Sequence, residues 1–359
     1  MNRTCPYNSY DYHATDTGFH TAIHLIFEIY REFYVYFVLV FGPVNILANL
    51  LSMFILTRKE LSGSYSNLFF CMTLDQTLVV TFLVATVIRS SFTSKCDPSL
   101  NTLFYAILTI VARNAMDILR AHASWLAVVV ASLRFLTIRR RGFHLPSLRS
   151  IIIWCLISLL LLLAASTPVF LSTSIKWAPI SRSCNVSRDI LVAKVRESDL
   201  VYYNDCLLLR VTYFISGTLH NGIPCILLFA LSILLLRHLR LMRKECNLMN
   251  SSEKMSNDGR VTKMMTVILI TTIISEMPQS ILNILVAFLP SGFKANVMER
   301  VGNILTTIML ITSACNLFIY LSMSRKFKDV AKVYFYRVVP IAKLTKLSKN
   351  SKGRSSGRS

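Results

Sequence analysis

Seven long stretches of the chain consist mainly of apolar residues, and shorter polar segments separate them. Each stretch reaches the ~20 residues that an α-helix needs to cross the hydrocarbon core of a bilayer. The pattern therefore predicts an all-α membrane protein, a seven-transmembrane helix bundle. The predicted spans are Phe33–Leu56, Asn67–Ile88, Leu103–Leu133, Ile151–Leu171, Leu208–Leu236, Met264–Leu289 and Val301–Met323.

Charge gives the bundle an orientation. The 359-residue chain is 53% hydrophobic and 16% charged, yet its formal net charge is +21. Lysine and arginine concentrate after the first, third and fifth spans and in the C-terminal tail, so the positive-inside rule places the N-terminus outside and the C-terminus inside. The apolar spans thus predict a multi-pass membrane protein, for which we expect the plasma membrane, and the charge excess indicates its orientation. No nucleic-acid binding is expected, because phosphate readers present their basic residues on a soluble surface.

The segments around the spans divide the chain further. We expect residues 1–32 to be an extracellular N-terminus, 33–323 to be the bundle and 324–336 to be a short amphipathic cytoplasmic helix at the membrane surface. Residues 337–359 are rich in Lys, Arg, Ser and Gly, which predicts a basic disordered tail that attracts anionic lipids.

Disulfides and glycans are expected on the predicted outer side. Cys96 and Cys184 are the favoured disulfide pair, with Cys206 as the main alternative to Cys184, while the role of Cys5 stays open. Asn2 and Asn185 begin Asn-X-Ser/Thr sequences, which predicts glycosylation at both residues.

Four short motifs stand in order on the spans: Ser124-Trp125-Leu126, Ile223-Pro224-Cys225-Ile226-Leu227-Leu228, Ser275-Glu276-Met277-Pro278-Gln279 and Met323-Ser324-Arg325-Lys326-Phe327. Polar residues inside the spans, such as Asn49, Asp75 and Arg134, resemble those of rhodopsin-like G-protein-coupled receptors. The four motifs more closely resemble the nematode serpentine receptors of class W, a group that is itself similar to the FMRFamide and myosuppressin receptors of invertebrates. The resemblance implies a receptor that binds an extracellular ligand in the outer bundle and activates a heterotrimeric G protein.

The resemblance also implies roles in switching and G-protein coupling. An acid usually precedes the inner arginine, but Leu133 stands there in this chain, so Asp258 is a candidate partner for that arginine instead. A carboxylate, Glu276, replaces the aromatic toggle that is common in relatives, and it is either protonated or paired with a cation. The residues to which the resemblance assigns these roles are Arg134, Glu276, Pro278, Asn316 and Tyr320.

A polar cluster is expected in the middle of the membrane. The resemblance implies that Asn49, Asp75, Ser313 and Asn316 meet there and that a sodium ion is possible at Asp75. The alternative is a packing network satisfied by water. No cofactor is expected.

Charged residues in the outer third span are the strongest candidates for ligand binding. Arg113 and Asp117 are four residues apart and Asp117 and Arg120 three apart, so all three lie on one helix face. Exposure to lipid would be costly, so this face is expected to point into the bundle. With His220, Asn221 and Gln279, the stripe would contact a polar ligand such as a C-terminally amidated peptide. The alternatives are an internal salt-bridge ladder and a role in trafficking.

The ligand itself stays open at this stage. A neuropeptide is implied by the resemblance, while a small environmental molecule detected by a chemosensory receptor is the alternative. A transporter or channel is a third class, disfavoured because the chain lacks the internal repeats that build transporters. The sequence carries no enzyme motif: there is no phosphate-binding glycine loop, no His-Glu-X-X-His and no Cys-X-X-Cys.

Overall fold

The structure of the protein is a computed structural model that describes residues 18–61, 63–92, 102–140, 144–179, 191–204, 206–249, 253–289 and 297–338. In this part of the chain, seven helices are long and apolar enough to cross a membrane. The seven-transmembrane bundle predicted from the apolar pattern is therefore confirmed. Cys96, Cys184, Asn2 and Asn185 lie outside the described residues, so the disulfide and the glycans stay predictions.

The helices follow one another in the order of the predicted spans. The fifth span consists of three consecutive pieces, and a short amphipathic helix, called the interfacial helix below, follows the seventh. The first to fourth spans are Gly18–Leu56, Ser64–Phe92, Leu103–Arg139 and Leu148–Ala165; the fifth is Leu207–Ile215, Ser216–Gly222 and Ile223–Met249; the sixth is Glu253–Phe288, the seventh Glu299–Met323, and the interfacial helix Arg325–Val338.

Two apolar clusters hold the bundle together. The larger lies towards the interfacial helix and contains Leu126, Met265 and Phe327 among its buried members. The smaller joins the first, second and seventh spans through residues such as Val38, Val80 and Leu310. The fourth span, in contrast, leaves most of its apolar side chains exposed, as expected of a helix that faces lipid on most sides.

The loop after the fourth span contains two β-strands, which the all-α prediction did not include. Strand β1, Thr173–Pro179, pairs antiparallel with β2, Leu191–Glu197, in the register Thr173 to Glu197. β-Branched and aromatic residues favour strands, and Val192 and Ala193 are buried beneath the hairpin. The end of the bundle that carries this hairpin is called the hairpin end below.

The fourth span ends earlier than the predicted Ile151–Leu171. Its helix stops at Ala165, and a separate short helix, Thr167–Leu171, follows. Pro168 cannot donate a backbone hydrogen bond, which favours a helix start at this point. The hydroxyls of Ser166 and Thr167 also donate to the carbonyls of Leu162 and Ala164, respectively. These side chains therefore provide hydrogen-bond donors for carbonyl groups at the end of the helix.

The fifth span contains a π-helical segment, Ser216–Gly222, which the sequence analysis did not anticipate. A π segment inserts an extra residue into a helix and leaves carbonyl groups for other partners. The indole N–H of Trp125 donates to the carbonyl of Leu219 at 3.2 Å, and the hydroxyl of Ser280 donates to the carbonyl of Gly217 at 2.7 Å. The segment is thus held by both the third and the sixth spans.

Candidate functional site

A cavity of about 400 Å³ opens at the hairpin end between the third, fifth and sixth spans. Strand β2 contributes Arg196 and Glu197 to its wall. All six residues that the sequence analysis proposed for ligand contact line this one cavity: Arg113, Asp117, Arg120, His220, Asn221 and Gln279. The structure therefore brings together side chains from three helices that are far apart in sequence.

Several buried polar atoms at this cavity have no hydrogen-bond partner within the described part of the chain. They are Nδ2 of Asn114, Nδ1 of His220, Oδ1 of Asn221 and Nε of Arg120. The side chains of Asn114 and His220 are almost fully buried, and leaving a buried polar atom unsatisfied costs ~1–3 kcal/mol. Because the residues that carry these atoms line a single cavity, a polar ligand is the natural partner for the atoms.

The orientation of His220 follows from its neighbour Ser166. The Ser166 hydroxyl donates its one proton to the carbonyl of Leu162 at 2.7 Å, and its oxygen lies 3.3 Å from Nε2 of His220. A neutral His220 therefore carries its proton on Nε2 and donates to Ser166. Nδ1 is then an acceptor at the cavity.

The polar wall formed by the sixth span is tied to the π segment. Gln279 donates to Oδ1 of Asn283 at 3.1 Å, and Nδ2 of Asn283 donates to the hydroxyl of Ser216 at 3.1 Å. This short chain of hydrogen bonds fixes the amide orientation of Asn283. It also connects the cavity wall on the sixth span to the fifth.

An ion pair lies at the inner end of the cavity. Nη2 of Arg120 is 3.0 Å from Oε2 of Glu276, and the Glu276 side chain is buried. The pair joins the third span to the sixth, as an internal salt bridge that holds helices together would; among the described residues, Asp117 forms no ion pair. The carboxylate of Asp117 is therefore available to the cavity that it lines.

A second, smaller cavity of about 40 Å³ lies on the other side of this ion pair. Arg120 lines both cavities, and Glu276 lines the smaller one together with Gln76, Ser313 and Asn316. The ion pair thus separates the hairpin-end cavity from the polar residues in the middle of the bundle.

Part of the expected polar cluster is present. Nδ2 of Asn49 donates to the hydroxyl of Ser313 at 3.1 Å and to Oδ1 of Asn45 at 2.9 Å, and Asn45 donates in turn to the carbonyl of Leu310. Asn316 donates to Oε1 of Gln76 at 3.0 Å. Asn45 and Gln76 were not among the predicted members, although Asn45 lies one helical turn before Asn49.

Asp75 does not join this cluster. Its Oδ2 lies 2.7 Å from Nδ1 of His122 in the third span, and Nε2 of His122 lies near the Cys155 carbonyl and the Ser158 hydroxyl of the fourth span. The structure thus pairs Asp75 with the third span, whereas the sequence analysis had grouped it with Asn49 and Ser313.

The surroundings of Asp75 do not fit a sodium ion. Such hard cations take several oxygen ligands, whereas the contact of the Asp75 carboxylate is with an imidazole nitrogen. No group of three or more His, Cys, Asp or Glu side chains in the described residues is arranged to hold a metal ion. His122 could have been suspected from the sequence, as a polar residue inside a span.

The opposite end of the bundle contains two of the predicted coupling residues, Arg134 and Tyr320. Nε and Nη2 of Arg134 donate to the Thr262 hydroxyl at 3.0 and 2.8 Å, so the third and sixth spans meet here as well. Tyr320 is buried, with its ring 5.6 Å from that of Phe69 and 5.4 Å from that of Phe327 in the interfacial helix. The Asp258 side chain lies outside the described residues. Pro278 lies inside the sixth helix, directly before Gln279 of the cavity wall.

A seven-helix membrane bundle with a polar cavity at one end and a buried arginine between the third and sixth spans at the other has the architecture of a G-protein-coupled receptor. Residues 34–338 match the family described as serpentine type 7TM GPCR chemoreceptor Srw, and the chain belongs to this family. The chain is also 25% identical, over 369 aligned positions, to the G-protein coupled receptor dmsr-1 of Caenorhabditis elegans, covering 91% of this chain and 72% of that protein. The resemblance to class W serpentine receptors is thereby confirmed. The protein is a multi-pass membrane receptor of the plasma membrane and not an enzyme.

Proposed function

We propose that this receptor responds to an extracellular neuropeptide whose C-terminally amidated end enters the hairpin-end cavity. The observation that carries the proposal is the set of unpartnered polar atoms in the cavity wall. They include the Asn114 amide as a donor and the Asn221 amide oxygen as an acceptor. A C-terminal carboxamide offers the complementary pair, an N–H₂ donor and a carbonyl acceptor, without a charge.

The charged residues of the cavity suit the rest of such a ligand. Asp117 presents a carboxylate to a cationic side chain, while Arg113 and Arg196 present cations to an acidic or carbonyl group. The volume of about 400 Å³ lies at the lower end of the ~300–1,000 Å³ typical of ligand sites. The cavity therefore accommodates the end of a peptide and leaves the remainder to the hairpin and the outer loops.

In this proposal, the third and sixth spans transmit the effect of ligand binding to the side that contacts the G protein. A carbonyl or carboxylate of the ligand competes with Glu276 for Arg120, whose Nε has no partner of its own. Weakening that ion pair frees the sixth span at the level of Glu276. The Arg134–Thr262 contact on the same two helices then becomes easier to open for a heterotrimeric G protein.

The experiment is a screen of amidated neuropeptides against cells that express the receptor, with G-protein nucleotide exchange as the readout. Each active peptide is compared with its free-acid form. We expect the free acid to be roughly 100-fold weaker or more, because it adds a charge and leaves buried polar groups unpaired. In the Asn221→Leu variant this difference should shrink.

A second comparison tests the contact at Arg113. Arg113→Ala should lower peptide potency with unchanged surface expression, whereas Lys176→Ala, which removes a cation from the hairpin outside the cavity, should leave potency unchanged. If Arg113→Ala retains both full potency and full surface level, Arg113 is not a contact residue.

A chemosensory receptor for a small environmental molecule is the second candidate function. The family description favours it, and so does the cavity volume, which suits a small molecule as well as a peptide end. A response to small-molecule extracts without any response to amidated peptides would select this alternative.

A further inference from the structure

Two cysteines in different spans lie side by side. Cys71 belongs to the second span and Cys155 to the fourth, and their thiols form a side-chain hydrogen bond. Both are free thiols, and Cys71 packs against the buried Cys155 in the larger apolar cluster. A disulfide needs its two sulfur atoms next to each other, so small rotations of these side chains are enough to join them.

The two thiols lie beside the pair formed by Asp75 and His122. Asp75 follows Cys71 by four residues on the second span, and residues four apart are neighbours on a helix surface. Nδ1 of His122 lies 2.7 Å from Oδ2 of Asp75, and its Nε2 lies 3.2 Å from the carbonyl oxygen of Cys155. A bond between the two cysteines would therefore join the same two spans that His122 already bridges.

A groove on the side of the bundle gives access to Cys155. Its volume is about 630 Å³, it lies between the third, fourth and fifth spans, and Cys155 is part of its lining whereas Cys71 is not. The lining side chains are mostly apolar, and two of them on the fourth span, Trp154 and Leu161, are each 66% exposed. Because exposed apolar side chains on a spanning helix face lipid, a molecule that enters this groove comes from the bilayer and meets Cys155 first.

We propose that Cys155 and Cys71 form a redox-sensitive site, at which an organic hydroperoxide from the bilayer converts the two thiols to a disulfide. An oxidant with an apolar body suits the apolar walls of the groove. The disulfide would tie the second span to the fourth beside Asp75. This site is separate from the hairpin-end cavity, and neither cysteine lines that cavity.

The reaction has two steps. The sulfur of Cys155 attacks the terminal oxygen of the hydroperoxide: an S–O bond forms, the O–O bond breaks, and the thiol proton leaves with the alkoxide as an alcohol. The sulfur of Cys71 then attacks the sulfenic sulfur of Cys155: the S–S bond forms, the S–O bond breaks, and the second thiol proton leaves with hydroxide as water. The two thiols lose two electrons, and the hydroperoxide accepts them.

The test uses the full-length receptor in nanodiscs, first reduced with a phosphine and then treated with cumene hydroperoxide. A peroxide-sensitive fluorescent fatty acid in the same nanodiscs confirms that the oxidant enters the bilayer. After free thiols are blocked, mass spectrometry without reduction quantifies the peptides linked through Cys71 and Cys155. We expect the linked fraction to rise at least several-fold over the untreated receptor and to fall back when the phosphine is added again.

Single variants test the order of the two steps. In Cys71→Ala the sulfenic acid of Cys155 has no second thiol to attack it, so dimedone should trap it. In Cys155→Ala dimedone should leave Cys71 unlabelled, because Cys71 does not line the groove.

The matched control is Cys225→Ala/Cys315→Ala, which removes free thiols from the fifth and seventh spans and should keep the full linkage. Absence of the linked peptides while the fluorescent fatty acid is oxidised would overturn the proposal. Equal dimedone labelling of Cys71 and Cys155 in the two single variants would overturn it as well. None of these readouts depends on the identity of the peptide or on G-protein activity.

Discussion

Nη2 of Arg120 lies 3.0 Å from Oε2 of Glu276, so a buried ion pair joins the third and sixth spans at the inner end of the hairpin-end cavity. Fourteen residues later in the third span, Arg134 donates to Thr262, which lies fourteen residues before Glu276 in the sixth. The two antiparallel helices are therefore joined by two polar contacts, which lie about 21 Å apart along the helix axis at 1.5 Å per residue. In the proposed mechanism, a ligand that reaches Arg120 therefore acts on the same two helices that Arg134 and Thr262 join.

Removing one partner of this ion pair should destabilise the receptor strongly. Arg120→Gln or Glu276→Gln leaves an uncompensated buried charge, which costs ~3–5 kcal/mol. Thermal unfolding of the solubilised receptor should therefore shift strongly downwards in either single variant. The double variant Arg120→Gln/Glu276→Gln carries no such charge and should recover much of the loss.

The hairpin provides a control for this ion-pair experiment. Lys176 pairs with Asp199 at 2.6 Å on the exposed surface, and exposed pairs contribute ~0–1 kcal/mol. Lys176→Gln should therefore unfold like the wild type. Single variants at Arg120 and Glu276 that are no less stable than Lys176→Gln would contradict a structural role for the buried pair.

Thr262 should restrain the receptor without ligand. Thr262→Val keeps the shape of the side chain but removes the hydroxyl oxygen that accepts from Arg134. We expect basal G-protein nucleotide exchange to rise several-fold. Thr266→Val is the matched control, because the Thr266 hydroxyl donates within its own helix to the Thr262 carbonyl. Equal basal activity in the two variants would argue against the restraint.

Ligand binding should be insensitive to sodium. Asp75 is held by His122 at 2.7 Å, and an imidazole nitrogen is not one of the oxygen ligands that a hard cation takes. Replacing sodium chloride by choline chloride at constant ionic strength should leave ligand affinity unchanged within about twofold. A clear sodium effect that disappears in Asp75→Asn would show that the carboxylate binds the ion after all.

Gly217 should be required for the contact between the fifth and sixth spans. A Cβ atom at this residue would lie 2.7 Å from Cγ1 and 2.8 Å from the backbone nitrogen of Ile284. Such overpacking costs ~1–3 kcal/mol, so Gly217→Ala should unfold at lower temperature and reach the cell surface less. Gly302→Ala meets no atom within 4 Å and should be neutral or slightly stabilising. Equal stability of the two variants would mean that the spans can separate without cost.

Part of the lining of the hairpin-end cavity was predictable from the sequence. Arg113, Asp117 and Arg120 share a helix face because of their spacing, and a charged face in a membrane turns away from lipid. The same reasoning did not find Asn114, whose amide is among the unpartnered atoms of the cavity. It also did not reveal the π segment that places His220 at the cavity, because nothing in the apolar pattern marks one extra residue in a helix.

The sequence by itself determined the seven spans and which residues on each span are polar. These are local properties, since the length of an apolar stretch and the period of a helix depend on neighbouring residues alone. The tertiary structure decided the partners: Arg120 binds Glu276, 156 residues away, and Asp75 binds His122, 47 residues away. Partner choice depends on how each helix is rotated and shifted against the others, and that rotation is set by packing across the whole bundle.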